Sequence, residues 1–92
     1  MNRQPRSPKT AAHITIRVSG KLFQGHLAAL DQLVESAREC TLWPLLSLAQ
    51  LEEVDQDALQ YLINGEALRF GIIACPDFIR DWMHEERVRA AA

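Results

Sequence analysis

The chain has 92 residues, which is enough for one small domain and too few for a second hydrophobic core. Hydrophobic residues make up 48% and charged residues 24%, the balance of an ordinary soluble globular protein. A formal net charge of -2 gives no basic field for a nucleic-acid backbone. No apolar run reaches the roughly 20 residues of a membrane span. We therefore expect no nucleic-acid binding and no membrane insertion.

The cysteine content and the N-terminus indicate a cytoplasmic protein. Cys40 and Cys75 are too few for a disulfide framework, and no Cys or His at ligand spacing accompanies them, so no metal site is predicted. The N-terminal cations are not followed by the apolar segment of a signal peptide. Residues 1–12, with Pro5 and Pro8, are predicted to form a flexible tail ahead of a domain over residues 13–92.

The first half of that domain is predicted to contain a strand and a helix. Ile14, Ile16 and Val18 alternate with polar residues, the period of a strand with one buried face. From Gly25 to about Cys40, apolar residues recur at spacings of three and four, which predicts an amphipathic helix. Its predicted buried face consists of Leu27, Leu30, Leu33, Val34 and Ala37.

A second strand and helix are predicted next. The apolar run over 45–49 is typical of a central parallel strand covered on both faces. Asp55 is expected to cap the following helix, because its carboxylate can accept a bond from the free amide of Asp57 or Ala58. Gly65 is expected to cost this helix about 1 kcal/mol relative to alanine. The predicted buried side of the helix consists of Leu59, Leu62, Ile63 and Phe70.

The last elements are a short strand over 72–74 and a third helix. Pro76 suits the first helical position, and the helix dipole favours Asp77 directly after it. The predicted buried face of this helix consists of Phe78, Ile79, Trp82 and Met83, and fraying is expected from Arg87 onward. Strands that alternate with helices predict an α/β fold, a single domain with a mostly parallel sheet.

Three segments of the chain resemble, in order, parts of the STAS domain family, the fold of bacterial anti-sigma factor antagonists. ITIRVSGKL, residues 14–22, is similar to the family's strand that ends in glycine, a variable residue and leucine. LLSLAQLEEVDQDAL, residues 45–59, is similar to its LDLS strand and switch motif. IIACPDFIRDWM, residues 72–83, is similar to its last strand, Cys/Ser-Pro pair and helix. The resemblance implies a STAS-like fold.

The switch motif of this chain departs from the family pattern. Ser47 stands at the usual aspartate of the LDLS strand, Asp57 at the phosphorylatable serine and Ala58 at the glycine. In the family, the unphosphorylated antagonist binds an anti-sigma factor, often a serine kinase, and phosphorylation disrupts that contact. A serine kinase cannot esterify Asp57, so the resemblance implies either a permanent phosphomimic or a retired switch.

Acidic residues are concentrated in a loop predicted over 52–59. One interpretation is a helix cap with carboxylates favoured by the helix dipole. The other is an acidic docking face for a basic groove on a partner protein, and the resemblance favours it. Asp55 would order the loop, Asp57 would supply a fixed charge, and Gln56 with Leu59 would shape or support the surface. The predicted partner-binding segment consists of Glu53, Asp55, Gln56, Asp57, Ala58 and Leu59.

Two catalytic interpretations are weaker. Asp55 and Asp57 could form a carboxylate pair, but a helix N-terminus favours the ionised form and no His or Lys lies near in sequence. Cys75 precedes a helix N-terminus that would stabilise a thiolate, with Arg80 nearby, but Pro76 removes an amide that an oxyanion-binding loop needs. A small buried or capping cysteine is favoured. No enzymatic activity and no cofactor are predicted.

The sequence therefore predicts a non-catalytic protein-binding domain of bacterial signalling and transcription regulation. The expected partner is an anti-sigma factor or a serine kinase-like protein. The alternative is a regulatory STAS subunit beside the ATPase of a lipid-transport ABC complex. A nucleotide binder ranks last, because the chain has no glycine-rich phosphate loop. A homodimer and an extra strand from the tail both remain open.

Overall fold

The computed structural model describes residues 12–91, so the tail predicted over residues 1–12 lies, apart from Ala12, outside the described residues. Three strands alternate with three α-helices in the described part, which confirms the predicted order of elements. A 3-10 turn over Gln24–His26 leads into the first α-helix. The elements are β1 His13–Leu22, α1 Leu27–Glu39, β2 Trp43–Val54, α2 Gln56–Gly65, β3 Gly71–Ile73 and α3 Asp77–Ala91.

The strands form one parallel sheet in the order β1–β2–β3. The middle strand, β2, pairs with β1 from Trp43 to Val54 and with the three residues of β3 through Leu45, Leu46 and Ser47. Each connection between neighbouring parallel strands contains a helix, as a right-handed crossover requires. The predicted α/β class and the mostly parallel sheet are therefore confirmed.

All three helices pack on the same face of the sheet, where they enclose a single hydrophobic core. Leu46 and Leu48 of β2 are completely buried beneath the helices. Burying a side chain of this kind stabilises the fold by about 1.5–3 kcal/mol. The helices contribute Leu30 and Val34 from α1, Leu59 and Leu62 from α2, and Ile79 and Met83 from α3.

The prediction that β2 is covered on both faces is wrong. Residues on the helix side of β2 are buried, whereas Trp43, Leu45 and Ser47 alternate with them and are only half-buried. Among residues 12–91, no helix packs on this second face. A Cβ atom at Gly71 would stand 2.9 Å from Leu45 Cδ2 and 3.3 Å from the Trp43 indole nitrogen. The second face is thus shielded partly by its own large side chains.

Strand β2 is also longer than predicted, because two bulges interrupt its alternating pattern. Arg17 pairs with Ser47 but Ser19 pairs with Gln50, so β2 gains one residue there. A second extra residue, Glu52, lies between the partners of Gly20 and Lys21. A bulge shifts the side-chain alternation of the bulged strand. That shift explains why the apolar pattern ends at residue 49 although the strand continues to residue 54.

Several residues predicted on buried helix faces lie elsewhere. Leu33 is 54% exposed and Phe78 is 48% exposed, because the buried stripes run through Leu30 and Val34 in α1 and through Ile79 in α3. The third helix continues to residue 91, so the fraying that the sequence predicts from Arg87 onward is not observed.

Phe70 is fully buried, as predicted, but it lies beyond the end of α2. That helix ends at Gly65, and Phe70 returns toward it through a bridge to Glu66. The Phe70 ring stacks on Tyr61, with 5.6 Å between the ring centroids. The burial of Phe70 therefore comes from the turn after the helix and not from the helical stripe.

Candidate functional site

The predicted partner-binding segment forms the junction between β2 and α2. Pairing of Leu22 with Val54 continues the sheet to the end of β2, so Glu52 and Glu53 lie in the strand. Asp55 is the single residue between the strand and the helix, which begins at Gln56. The predicted loop over 52–59 is therefore wrong in extent, because cross-strand pairing extends β2 into it.

Asp55 fixes this junction through two backbone hydrogen bonds. One carboxylate oxygen accepts from the Ala58 amide at 2.8 Å, which confirms the predicted helix cap. The other oxygen accepts from the Gln24 amide at 2.9 Å. The pKa of the Asp55 carboxyl lies below its ordinary value of 3.8, mainly because of the bond from Gln24 and next because of the bond from Ala58. Asp55 is thus an ionised structural residue whose two oxygens are both engaged.

The segment after β1 belongs to the same site, and sequence reasoning missed it. Its Phe23 amide donates to Nδ1 of His26 at 3.1 Å, and the two rings stack with centroids 6.1 Å apart. Gln24 lies between them and donates to Asp55. The carboxyl ends of neighbouring parallel strands meet at the same edge of a sheet. Phe23 directly follows β1, so this rule could have been used to predict that the segment after β1 lies beside Asp55.

Exposure divides the four predicted residues that lie in α2, residues 56–59, into two groups. Gln56 and Asp57, in the first turn of α2, are exposed. Ala58 and Leu59 are completely buried and belong to the core. A partner that docks at this turn would therefore touch Gln56 and Asp57, while Leu59 supports the turn from beneath.

The acidic residues around the junction carry less free charge than the sequence alone indicates; they are Glu52, Glu53, Asp55 and Asp57. Glu53 lies 3.9 Å from the Lys21 ammonium, and both side chains are more than half exposed. A pair of this kind contributes about 0–1 kcal/mol. The Asp55 oxygens are engaged by amides, whereas Glu52 and Asp57 form no ion pair within residues 12–91. Asp57 is therefore the free carboxylate of the first helical turn.

A second candidate place is a cavity of about 180 Å³ near the end of β3, partly lined by Cys75, Met83 and Arg87. Burial raises the pKa of the Cys75 thiol, and the weaker effect of Arg80 opposes it. The raised pKa disfavours the thiolate interpretation of Cys75, which the sequence also favours less than a small buried or capping cysteine. Arg87 is ion-paired with Glu66. Cys75 is thus a protonated thiol and Arg87 an already paired guanidinium, while Arg80 and His84 also line the cavity.

Residues 12–91 contain neither a metal-binding cluster nor a helix that could span a membrane. No three His, Cys, Asp or Glu side chains in that range come together as a metal ion would require. None of the helices there has the length and apolar character needed to cross a membrane.

Comparison with known proteins gave no match to a family model, to a curated protein or to a solved structure. The function is therefore inferred from the geometry of this chain and from the resemblance of its motifs.

Proposed function

We propose that this chain is a non-catalytic, STAS-like protein-binding domain whose contact surface is the first turn of α2. The observation that carries the proposal is a contrast within that turn. Asp55 is held by two backbone hydrogen bonds, whereas Gln56 and Asp57 are exposed. Leu59 anchors the turn in the core from below. The turn therefore presents two polar side chains on a rigid support.

Rigidity and charge both suit such a turn to binding. A preorganised surface loses less conformational freedom on association than a mobile loop does. The free carboxylate of Asp57 lies in the first turn of a helix, at the positive end of the helix dipole. A partner with a basic groove would complement it, and the charge would raise the rate of association. The proposed partner surface is accordingly basic.

The motif resemblance supports a more specific role. Asp57 occupies the position of the phosphorylatable serine in the switch motif of anti-sigma factor antagonists. Its carboxylate places a permanent negative charge where that family adds a reversible one. In that family the added charge disrupts the contact with the anti-sigma factor. The proposed partner is therefore an anti-sigma factor or a serine kinase-like protein with a basic surface opposite Asp57, for which the charge favours binding and no phosphorylation cycle is needed. The engaged oxygens of Asp55 support a binding role over acid–base catalysis.

Quantitative co-purification tests this proposal. The tagged chain and its Asp57→Asn and Asp57→Ser variants are expressed in its own cells, and bound proteins are identified and quantified by mass spectrometry. Loss of the charge is expected to weaken partner binding about three- to tenfold. Asp77→Asn is the matched control, because Asp77 is also an exposed acid in the first turn of a helix.

Each outcome has a defined meaning. A captured anti-sigma factor or kinase that is depleted by both Asp57 variants and retained by Asp77→Asn supports the proposal. Equal capture of every partner by all four proteins contradicts it, and so does stronger capture by Asp57→Ser, which is the result expected if the charge disrupts the contact as phosphorylation does in the family. Stable capture of a transport ATPase in equal amounts by the wild type and the Asp57 variants would instead favour the role of a regulatory subunit in an ABC transport complex.

A further inference from the structure

The outer edge of β1 has no neighbouring strand among residues 12–91, because β1 is the first strand of the sheet. The Trp43 amide donates to the Ala12 carbonyl and the Asp55 amide donates to the Leu22 carbonyl. Even-numbered residues of β1 therefore direct their backbone groups toward β2, and odd-numbered residues direct theirs outward. An open edge of this kind is a template for pairing with another chain.

The regular part of this edge runs from His13 to Ser19. Gly20 follows with a φ of 74°, which ends the regular extended backbone. The midpoint of the regular part is Ile16, and the outward-directed residues nearest to it are Thr15 and Arg17. The edge is thus symmetric about Ile16 in length and in the direction of its backbone groups.

The side chains are self-complementary about the same point. Antiparallel pairing of two copies around a two-fold axis at Ile16 sets Ile16 against its equivalent and Ile14 against Val18 of the second copy. Thr15 and Arg17 then exchange backbone hydrogen bonds, as outward-directed residues must in an antiparallel pair. An axis at Arg17 would instead set two guanidinium groups opposite each other, which is unfavourable. The Ile16 register places apolar pairs on the helix side and no like charges in opposition.

Exposed apolar side chains lie on this side of the molecule. Ile14 is 42% exposed although it lies on the face that the helices cover, and Leu33 of α1 is 54% exposed. Asp31 and Glu35 both bind Arg69, in the connection between α2 and β3. Leu33 lies two residues from each, hence on the opposite side of α1, which faces the outer edge of β1. A second copy at that edge would cover apolar surface that a single copy leaves exposed.

We propose that two copies of this chain pair antiparallel through β1, with the two-fold axis at Ile16. The result is a continuous sheet of six strands, three from each copy, with all helices on one face. A second copy suits the edge better than the preceding segment of the same chain. Residues 1–11 include Pro5 and Pro8, which are three positions apart, so in any strand that contained both, one of them would direct its missing amide hydrogen toward β1.

Solution mass is the first test. Light scattering on the full chain is expected to give twice the 10.4 kDa of one copy. Arg17→Pro removes an outward amide without removing a bond to β2, because proline is tolerated at an edge position. We expect this variant to keep its circular dichroism spectrum and fall to the mass of one copy. Arg17→Ala, the matched control, is expected to remain a dimer.

Disulfide trapping locates the axis. In a Cys40→Ser, Cys75→Ser background, Ile16→Cys is expected to form a cross-linked dimer. The Cα atoms of such a pair would lie about 4.5 Å apart, within disulfide range. Val18→Cys is expected not to cross-link, because the two copies of residue 18 would lie about 13 Å apart along the strands.

Three results would overturn the proposal: a monomeric wild-type chain, a dimer that survives Arg17→Pro, or cross-linking by Val18→Cys in place of Ile16→Cys. None of these experiments alters Gln56 or Asp57. The pairing and the proposed partner surface can therefore fail independently of each other.

Discussion

The Asp55 carboxylate accepts a hydrogen bond from the backbone amide of Gln24, 31 residues earlier in the chain, at 2.9 Å. The same carboxylate caps α2 through the Ala58 amide. One side chain thus joins the segment after β1 to the segment after β2 at the carboxyl edge of the sheet. The contact surface proposed at Asp57 rests on this connection, because Asp55 sets the start of the helix.

Replacement of Asp55 by alanine is expected to destabilise the fold by removing both bonds and leaving two amides without their protein acceptor. The melting temperature, followed by circular dichroism, is expected to fall by roughly 4–8 °C. Asp57→Ala is the control, because Asp57 is exposed and its loss affects only the interaction with the helix dipole. Equal shifts for the two variants would contradict the structural role of Asp55.

Acid is expected to weaken the fold through the same residue. The pKa of Asp55 is lower in the folded chain than its ordinary 3.8, so the folded state favours the ionised form. The stabilisation from this group is therefore present above pH about 4 and is lost as the pH falls through the folded pKa. Urea unfolding at several pH values should show a smaller acid loss of unfolding free energy in Asp55→Asn. If the unfolding free energy fell equally with pH in the wild type and in Asp55→Asn, this expectation would be contradicted.

The two bonds of Asp55 show how far sequence reasoning reaches. The bond to Ala58 was predictable, because a helix cap depends on residues three positions apart. The bond to Gln24 depends on which strands are neighbours and on their register, and that is settled only when the sheet forms. The same limit applies to β2, whose apolar run over 45–49 predicts a strand but does not reveal whether a second layer covers it.

Arg69 is expected to stabilise the contact between α1 and the connection from α2 to β3. It binds both Asp31 and Glu35, and Asp31 also accepts a hydrogen bond from the Tyr61 hydroxyl at 2.9 Å. Burial, and then the Asp31 bond, raise the pKa of Tyr61, so the hydroxyl remains a donor. Arg69→Ala is expected to lower the unfolding free energy in urea by about 1–2 kcal/mol, because it leaves two neighbouring carboxylates unneutralised.

Two further variants sharpen the Arg69 test. Arg69→Lys keeps the charge but cannot reproduce the planar guanidinium, so an intermediate loss is expected. Arg87→Ala is the control, because Arg87 forms a single ion pair with Glu66 and is about half exposed. A loss of less than about 0.5 kcal/mol is expected for it. Equal losses for Arg69→Ala and Arg87→Ala would show that the double contact of Arg69 contributes no extra stability.

Gly65→Ala is expected to destabilise the fold, although helix propensity alone predicts a gain of about 1 kcal/mol. A Cβ atom at Gly65 would overlap the ring of Phe70, a completely buried side chain, and crowding of this kind costs about 1–3 kcal/mol.

Gly25→Ala is the control, because its Cβ would meet nothing within 4 Å. In a Phe70→Leu background the cost at Gly65 should shrink, since the smaller side chain relieves the overlap. Urea unfolding of the four variants and wild type measures each free energy. A gain in stability for Gly65→Ala would contradict this expectation. It would mean that the Phe70 ring can move aside for the new Cβ atom and that the only effect of Gly65 is to weaken its helix.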